Sequence, residues 1–331
     1  MTQIRRYQAG DLPALAQLME AVEAEERAGR AVTPEALARQ LTASGRDPLR
    51  EAFVALESGG RLVGFVHPFP LLGGEGRETV FPARPTVHPD HRGQGTEEGL
   101  LRQALQVAQQ RLPELPAGPV YLHVGCRPDE TSLGAACQAV GLQPQRVLLQ
   151  MALPSLERLP RPTLPAGLVV RPYGLDGDLE LLSALDAETF ADHWGRADRT
   201  PQQWAELAAS PQFRPTLCLL AFNAAVGDEP AGFCLCQVEP HHTAQVGRPE
   251  GLLDKLGVRR PYRGRGLGQA LAILGLQSLR HAGMTSAYLF VDAENPTGAL
   301  PIYQRLGFTQ RFGIQMCRML VGHGGQRLQV E

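Results

Sequence analysis

The sequence predicts an α/β fold made of two tandem copies of one strand-and-helix unit, and three observations predict it. A mostly apolar stretch from Leu252 to Val258 runs into Arg263, Gly264, Arg265, Gly266, Leu267 and Gly268. Leu267, Ala270, Leu271, Leu274 and Ser278 then recur at helical spacing until Gly283 stops the helix. A second apolar stretch, Ala287 to Val291, is followed by Asn295, Tyr303 and the pair Gly307 and Phe308. The third observation is that the first half of the chain carries the same series of motifs in the same order.

The strand before the glycines ends at Pro261, and the helix after them starts at once. That layout aims backbone N–H groups at an anion. Gly264, Gly266 and Gly268 lack a Cβ, so the chain can pass close to a phosphate. The helix N-terminus adds roughly half a positive charge, and Arg263 and Arg265 add two more. A nucleotide P-loop is excluded, because Gln269 and Ala270 stand where it needs lysine and a hydroxyl. The dinucleotide fingerprint is excluded by its wider glycine spacing. Further on, Asn295 is expected to cap a short helix with Pro296 at its first position. Tyr303 lies on that helix and Gly307 ends it, while Pro301 inside it should distort it.

The arginine-glycine loop after a strand ending in Val258, Pro261 and Arg263, with the later strand, Asn295 and Tyr303, resembles the GCN5-related N-acetyltransferase (GNAT) superfamily. In layout the chain is similar to double-GNAT proteins of the mycothiol synthase type. The resemblance covers nearly the whole chain, with its specific motifs in residues 252–308. It implies that each copy is a mixed, mostly antiparallel sheet, splayed at its centre and flanked by helices. It implies acetyl-CoA as acyl donor, with the pantetheine arm between the strands Leu252–Val258 and Ala287–Val291. Leu256, Gly257, Val258, Arg263, Gly264, Arg265, Gly266, Leu267, Gly268 and Asn295 are the cofactor-binding positions that follow, and no metal is implied.

Acetyl transfer from a thioester to an amine needs a neutral amine, a stabilised oxyanion and a proton for the leaving thiolate. A backbone N–H at Leu256 or Val258 is the family's answer for the oxyanion. Tyr303 is the proton source, since a phenol of reference pKa about 10 stays protonated at neutral pH. Asp254 interrupts an apolar strand beside the expected acetyl site and is the first choice of base, with its exposure at a strand edge or pairing to an arginine as the bland reading. Glu239, His241 and His242 come next, though adjacent histidines after Pro240 also suit a solvated loop. The chain departs from the mycothiol synthase pattern: Leu252 stands at an expected glutamate, and Cys234 and Glu239 stand at expected histidines. Asp192, His193, Trp194, Gly195 and Trp204 fall in helices that roof the acceptor pocket in this family, and packing explains the tryptophans better than ligand binding.

The chain in order supports the repeat. Ile4 to Tyr7 opens a strand, followed by Asp11, a helix to about Arg27, a second helix from Pro34 to Leu41 and a hairpin around Gly59 and Gly60. Val169 to Tyr173 with Asp178, and the strands at Leu217–Ala221 and Ala231–Phe233, replay this. Gly141 and Gly307 are 166 residues apart, and Val87 and Val258 are 171 apart. Four prolines from Pro154 to Pro165 read as a stiff linker, giving 1–153 as a degenerate N-terminal domain, 154–166 as linker and 167–331 as the catalytic domain. The first copy keeps Val87, Arg92, Gly93 and Gly95, a possible second cofactor site. Glu97, however, replaces the glycine at 268, Cys137 replaces Tyr303 and Asp129 replaces Asn295, so catalysis is not expected there.

Composition narrows the class. With 331 residues and 43% hydrophobic content the chain can fill two cores, and a net charge of −2 argues against a nucleic-acid or membrane-surface binder. No apolar run reaches the roughly 18 residues of a membrane span, and the N-terminus is no signal peptide. Scattered cysteines fit neither a disulfide framework nor a zinc site, so a reduced, cytoplasmic protein is expected. The fused copies favour a monomer. The reading is an acetyl-CoA-dependent N-acetyltransferase acting on the amine of a small molecule by direct attack in the C-terminal copy. Its rivals are transfer to a protein N-terminus or lysine, and a non-catalytic acyl-CoA sensor.

Overall fold

The computed structural model describes residues 2–26, 33–43, 45–73, 77–174, 178–191, 193–194, 199–210, 213–239, 242–243, 246–295 and 298–325. It is an α/β protein with mixed sheets flanked by helices, and it divides into two compact units. The described residues of Met1–Val147 and Ile314–Glu331 make the first, and those of Leu148–Trp194 and Arg199–Gly313 the second.

In the first unit, β1 (Gln3–Arg6), β2 (Phe53–Leu56), β3 (Leu62–Val66) and β5 (Thr86–Val87) pair antiparallel in the order β1-β2-β3-β5. β4 (Thr79–Pro82) pairs parallel with β6 (Gly118–Cys126), whose other edge takes the chain's last strand, β13 (Thr309–Gly324). Helices α1 (Leu12–Glu26), α2 (Pro34–Leu41), α3 (Pro48–Glu51), α4 (Thr96–Arg111) and α5 (Thr131–Val140) flank these strands. α2 starts where the sequence gives it a cap: Thr33 Oγ1 accepts from Ala36 N at 3.2 Å, and Pro34 takes the first position.

The described strands of the second unit are consecutive members of one sheet. Its order is β7 (Gln143–Leu153), β12 (Ser286–Asp292), β11 (Glu250–Val258), β10 (Glu229–Val238), β9 (Cys218–Asn223) and β8 (Leu168–Pro172). Helices α6 (Asp178–Thr189), α7 (Pro201–Ala208), α8 (Leu267–His281) and α9 (Ala299–Arg305) pack on it. Among the described strands of this unit β11 and β12 run parallel, and the other pairs are antiparallel.

The repeat is visible in bonds as well as in order. Arg5 grips Asp11 through two N–H donors at 2.7 Å, and Arg171 grips Asp178 in the same way at 2.6 and 2.7 Å. Gly141 and Gly307 end their helices with φ of 96° and 92°, a conformation open to glycine without strain. The closing strand of each unit comes from the opposite end of the repeat order. Leu148 to Leu153 of β7 pair with β12 in the second unit, while β13 pairs with β6 in the first.

The proline-rich segment is packed. Leu156 is fully buried in the core of the second unit, with Leu159 and Leu164 against the same cluster. Its N–H donates to Thr285 O at 2.8 Å. Prolines stiffen this stretch, but the leucines between them give it a surface to bury. Truncating one should therefore cost core stability rather than alter a tether. Leu156→Ala is expected to lower unfolding free energy by about 2–5 kcal/mol, measured by urea denaturation.

Candidate functional site

The site begins where two strands part. β11 and β12 are in register at Glu250 and Ser286, Gly251 and Ala287, and Leu252 and Tyr288, and no further. Beyond that point β11 stays paired to β10, and β12 stays paired to β7. A buried ion cluster closes the paired end. Glu250 accepts from Arg311 Nη1 at 2.7 Å, Arg248 Nη2 at 2.9 Å and Ser286 Oγ at 3.3 Å, and lies 2.9 Å from His242 Nε2. Burial disfavours its charge, but His242 and the two arginines overcome this and hold its carboxyl well below the usual range.

A β-bulge sits just past the junction. Leu235 faces Lys255 and Cys236 faces Leu253, so Asp254 has no partner across the ladder. A bulge bends its strand and re-aims the extra side chain. Arg259 N donates to Ala231 O at 3.0 Å, which sets the phase of the ladder. Alternation along an antiparallel pair then turns the amides of Gly257 and Lys255 toward β10, and those of Leu256 and Val258 into the gap.

The glycine loop closes one end of the gap. Gly264 and Gly266 hold φ of 73° and 88°. The first bond inside α8 is from Ala270 N to Gly266 O at 3.0 Å, so the amides of Leu267, Gly268 and Gln269 precede it without an intrahelical acceptor. A helix of 15 residues thus presents its positive end to the cleft. Arg263 fixes the loop: its Nε donates to Val258 O at 2.9 Å and its Nη2 to Thr189 O at 3.1 Å. Arg265 is exposed and lies outside the cleft lining.

The resulting cleft of about 360 Å³ contains most of the residues picked from the sequence, including Asp254, Leu256, Val258, Arg263, Gly264, Gly266, Gly268, Asn295 and Tyr303. Tyr303 is buried, its ring edge-on to Phe308 at 5.8 Å, and burial pushes its phenol up. Asp254 Oδ2 accepts from Gln237 Nε2 at 2.8 Å. Burial pushes the Asp254 carboxyl up, while Arg199 and Lys255 pull it down. Lys255, the chain's single lysine, donates to Asp186 Oδ1 at 2.6 Å and lies 5.0 Å from the Phe190 ring and 5.6 Å from Trp204. Its own pKa is lowered, chiefly by burial.

Other expectations resolve differently. Glu239 is not among the cleft residues; its charge acts on Tyr288, and His242 is committed to Glu250. Asn295 does not cap the short helix. Its N–H donates to Asp292 O at 3.1 Å, and Gly298, with φ of 71°, takes the cap position. Pro301 therefore falls in the first turn, where its missing N–H leaves no bond unmade and no distortion is required. Trp204 is buried in a core cluster with Phe233 and Leu182, as packing requires. Asp192, Gly195, His241 and Pro296 lie outside the described residues. The cleft also takes Thr189, Phe190, His193 and Ile302. Of these only His193 stood in a stretch that the sequence set apart, and neither Gln237 nor the bulge had a signal in it.

The equivalent place in the first unit keeps the loop and a cavity of about 370 Å³, but lines it with charged side chains, among them Glu25, Glu26, Arg84, Arg92, Glu97 and Glu130. Gly93 and Gly95 have φ of 71° and 85°, close to their counterparts. Yet Gly93 N donates to Glu97 Oε1 at 3.0 Å, so a carboxylate from the chain occupies the anion position. Arg92 donates to Val87 O at 3.2 Å and pairs with Glu25 and Glu26 at 3.0 and 2.9 Å. Arg84 reaches to β6, donating to Gly125 O and Glu130 Oε2 at 2.8 Å each. Cys137 stands where Tyr303 would be, 3.6 Å from Cys126 Sγ to Sγ.

Comparison with known proteins agrees with this geometry. The sequence pattern of the acetyltransferase (GNAT) family matches residues 179–308. A mycothiol acetyltransferase of Streptomyces coelicolor is 33% identical over 276 residues, covering 80% of this chain and 79% of that one. One from Catenulispora acidiphila is 32% identical over 316 residues, with 93% and 95% covered. A crystal structure of a GCN5-related N-acetyltransferase from Sphaerobacter thermophilus superimposes with TM-score 0.72 at 26% identity, covering 98% of this chain and 96% of that one. A tandem GNAT protein from the clavulanic acid biosynthesis pathway shares the fold, with TM-score 0.65 at 19% identity and 97% and 99% covered.

The cluster at the junction has a measurable weight. Glu250→Gln leaves Arg311 and Arg248 without their buried anion and is expected to cost about 3–5 kcal/mol near neutral pH. Because the folded carboxyl is depressed, this contribution is complete above the unfolded value of about 4.3 and is lost as pH falls toward the folded one. Chemical denaturation of both proteins across that range should show the two stabilities converging at low pH.

Proposed function

Because the chain belongs to the GNAT acetyltransferase family, we propose that its second unit transfers an acetyl group from acetyl-CoA to the primary amine of a small molecule. The observation that carries this reading is the gap between β11 and β12, with free strand amides on one side and a helix N-terminus at its end. The residues present fit the donor. Leu267, Gly268 and Gln269 amides suit a diphosphate, Leu256 and Val258 amides suit an extended amide-bearing arm, and among the described residues no side chain spans the gap as Arg84 does in the first unit. The thioester supplies an activated acetyl group when bound.

The protein's share is positioning and proton handling. Asp254, raised by burial and held by Gln237, accepts the proton of the attacking amine, directly or through water. The amide of Leu256 or Val258 meets the carbonyl oxygen as negative charge develops on it. Tyr303, kept protonated by burial, gives its proton to the departing thiolate. The acceptor enters under Thr189, Phe190 and His193. A small-molecule amine is favoured because the relatives that match most of the chain are named mycothiol acetyltransferases. Those relatives acetylate a thiol-bearing compound by name; the acceptor proposed for this chain extends only to its amine.

Thiol release from acetyl-CoA in the presence of an amine panel tests the reading. Tyr303→Phe is expected to lower kcat by about 10²–10⁴ with little change in CoA affinity; acetyl-CoA binding with no turnover on any amine points instead to a sensor. The kcat/KM profile should fall on its acidic side with an apparent pKa above the usual carboxylate value of about 3.9. Lys255→Met removes a cation that lowers Asp254, so that limb moves to higher pH, and Asp254→Asn removes it. Calorimetry should give one CoA per wild-type chain, since the Glu97 carboxylate already accepts from the loop amide of Gly93 in the first unit. Gly266→Glu, which puts a bulky anion into a φ of 88°, should abolish that binding.

A further inference from the structure

Two arginines at the second unit's glycine loop and cleft are uncommitted. Arg263 spends its donors on Val258 O and Thr189 O, whereas among the described residues Arg265 and Arg305 take no hydrogen bond, ion pair or ring contact. Arg265 is exposed outside the cleft lining, and Arg305 is exposed within it. Helical spacing sets that place. Gly298, Ile302 and Arg305 recur at intervals of four and three, so they share one face of α9, and all three line the cleft. That face lies beside the glycine loop: a Cβ added at Gly268 would be 3.6 Å from Ile302 Cδ1. A cation in the last turn suits the helix dipole at any rotation about the axis, so the dipole does not explain why this one faces the cleft. The first unit supplies a contrast. Counting back from the helix-ending glycines, Gly141 and Gly307, puts Ala139 at the place of Arg305, and the loop glycines put Gln94 at that of Arg265. Both uncommitted cations are therefore absent from the copy whose loop meets Glu97.

We propose that Arg305 binds the 3′-phosphate on the donor's ribose and so selects CoA over donors that lack it. The inference rests on the acetyl-CoA reading above. In that reading the amides of Leu267, Gly268 and Gln269 take the diphosphate, which leaves one charged group of the cofactor to place. That group is a phosphate monoester beyond the diphosphate, carrying about −1.5 to −2 at neutral pH. It calls for a cation at the open edge of the cleft, close to the loop and with no carboxylate already on it. Arg305 meets each condition, and α9, from Ala299 to Arg305, contains no acidic residue. A guanidinium suits the task because its paired N–H donors match two phosphate oxygens. A pantetheine arm carried on a protein ends in a single phosphodiester, so a donor of that kind forgoes the contact.

The probes are CoA and dephospho-CoA, which differ only in that phosphate, titrated calorimetrically into the full chain. At low ionic strength the wild type is expected to bind CoA about tenfold more tightly than dephospho-CoA. Arg305→Gln should bring the two affinities within about twofold of each other, by weakening CoA alone. Its unchanged affinity for dephospho-CoA shows that the cleft is intact, and Arg305→Lys, which keeps the charge, should restore part of the preference. An exposed pair is screened, so the wild-type preference should shrink to about twofold as salt rises to about 0.5 M, a response that a merely structural arginine would not give. Equal binding of the two ligands by the wild type overturns the inference and leaves the acetyl-CoA reading standing. A preference that survives Arg305→Gln, or one that Arg265→Gln abolishes in its place, overturns it as well. Failure of both ligands to bind overturns the inference together with the reading it rests on.

Discussion

The pairing of β11 with β12 stops after three residue pairs, and the chemistry assigned to the second unit depends on that stop. Two parallel strands with matching apolar sequences would ordinarily continue to bond, because an unpaired buried amide is costly. Two features prevent it. The Glu250 cluster fixes the strands together at one end, and the bulge at Asp254 turns β11 out of line directly afterwards. What remains is a wedge with unspent backbone donors on one wall. Those donors have value only if something polar and extended lies against them, and the phosphate-seeking end of α8 stands at the mouth of the same wedge.

The two units show what this arrangement requires by how they differ. Both keep the left-handed glycines and the arginine that ties the loop to the preceding strand, through Val87 O in one and Val258 O in the other. The loop conformation therefore goes with the glycines and the arginine tie that the two units share. The two loops differ in single side chains. A glycine at 268 leaves the amides open, whereas Glu97 supplies its own carboxylate to Gly93. In the first unit a carboxylate of the chain meets the loop, and the cavity beside it is lined by acidic and basic side chains.

Much of the site was legible because it is built from local signals. The glycine loop, the helix after it and the helix bearing Tyr303 each follow from residues within a dozen positions, where conformational preference and periodicity act directly. Asp254 was legible as a carboxylate in an apolar strand, and Glu97 as a charge in the wrong place. The short helix was misread at Asn295 because Gly298 is an equally good start, and only tertiary packing chooses between them. Lys255 gave no clue to its role, since its partner Asp186 lies 69 residues away. Glu239 attracted notice for its position after a hairpin strand, but which way that loop turns is a tertiary matter. Strand partners were equally hidden: nothing in the sequence of β7 says that it will end beside β12 rather than β6.

That last choice has an evolutionary side. Each sheet is completed by a strand from the other half of the chain, so neither half, cut at the boundary between the repeats, would carry a full set. A duplicated gene whose products trade edges in this way cannot easily be separated again into independent proteins. The first half therefore contributes a strand to the second half's sheet whatever becomes of its own loop.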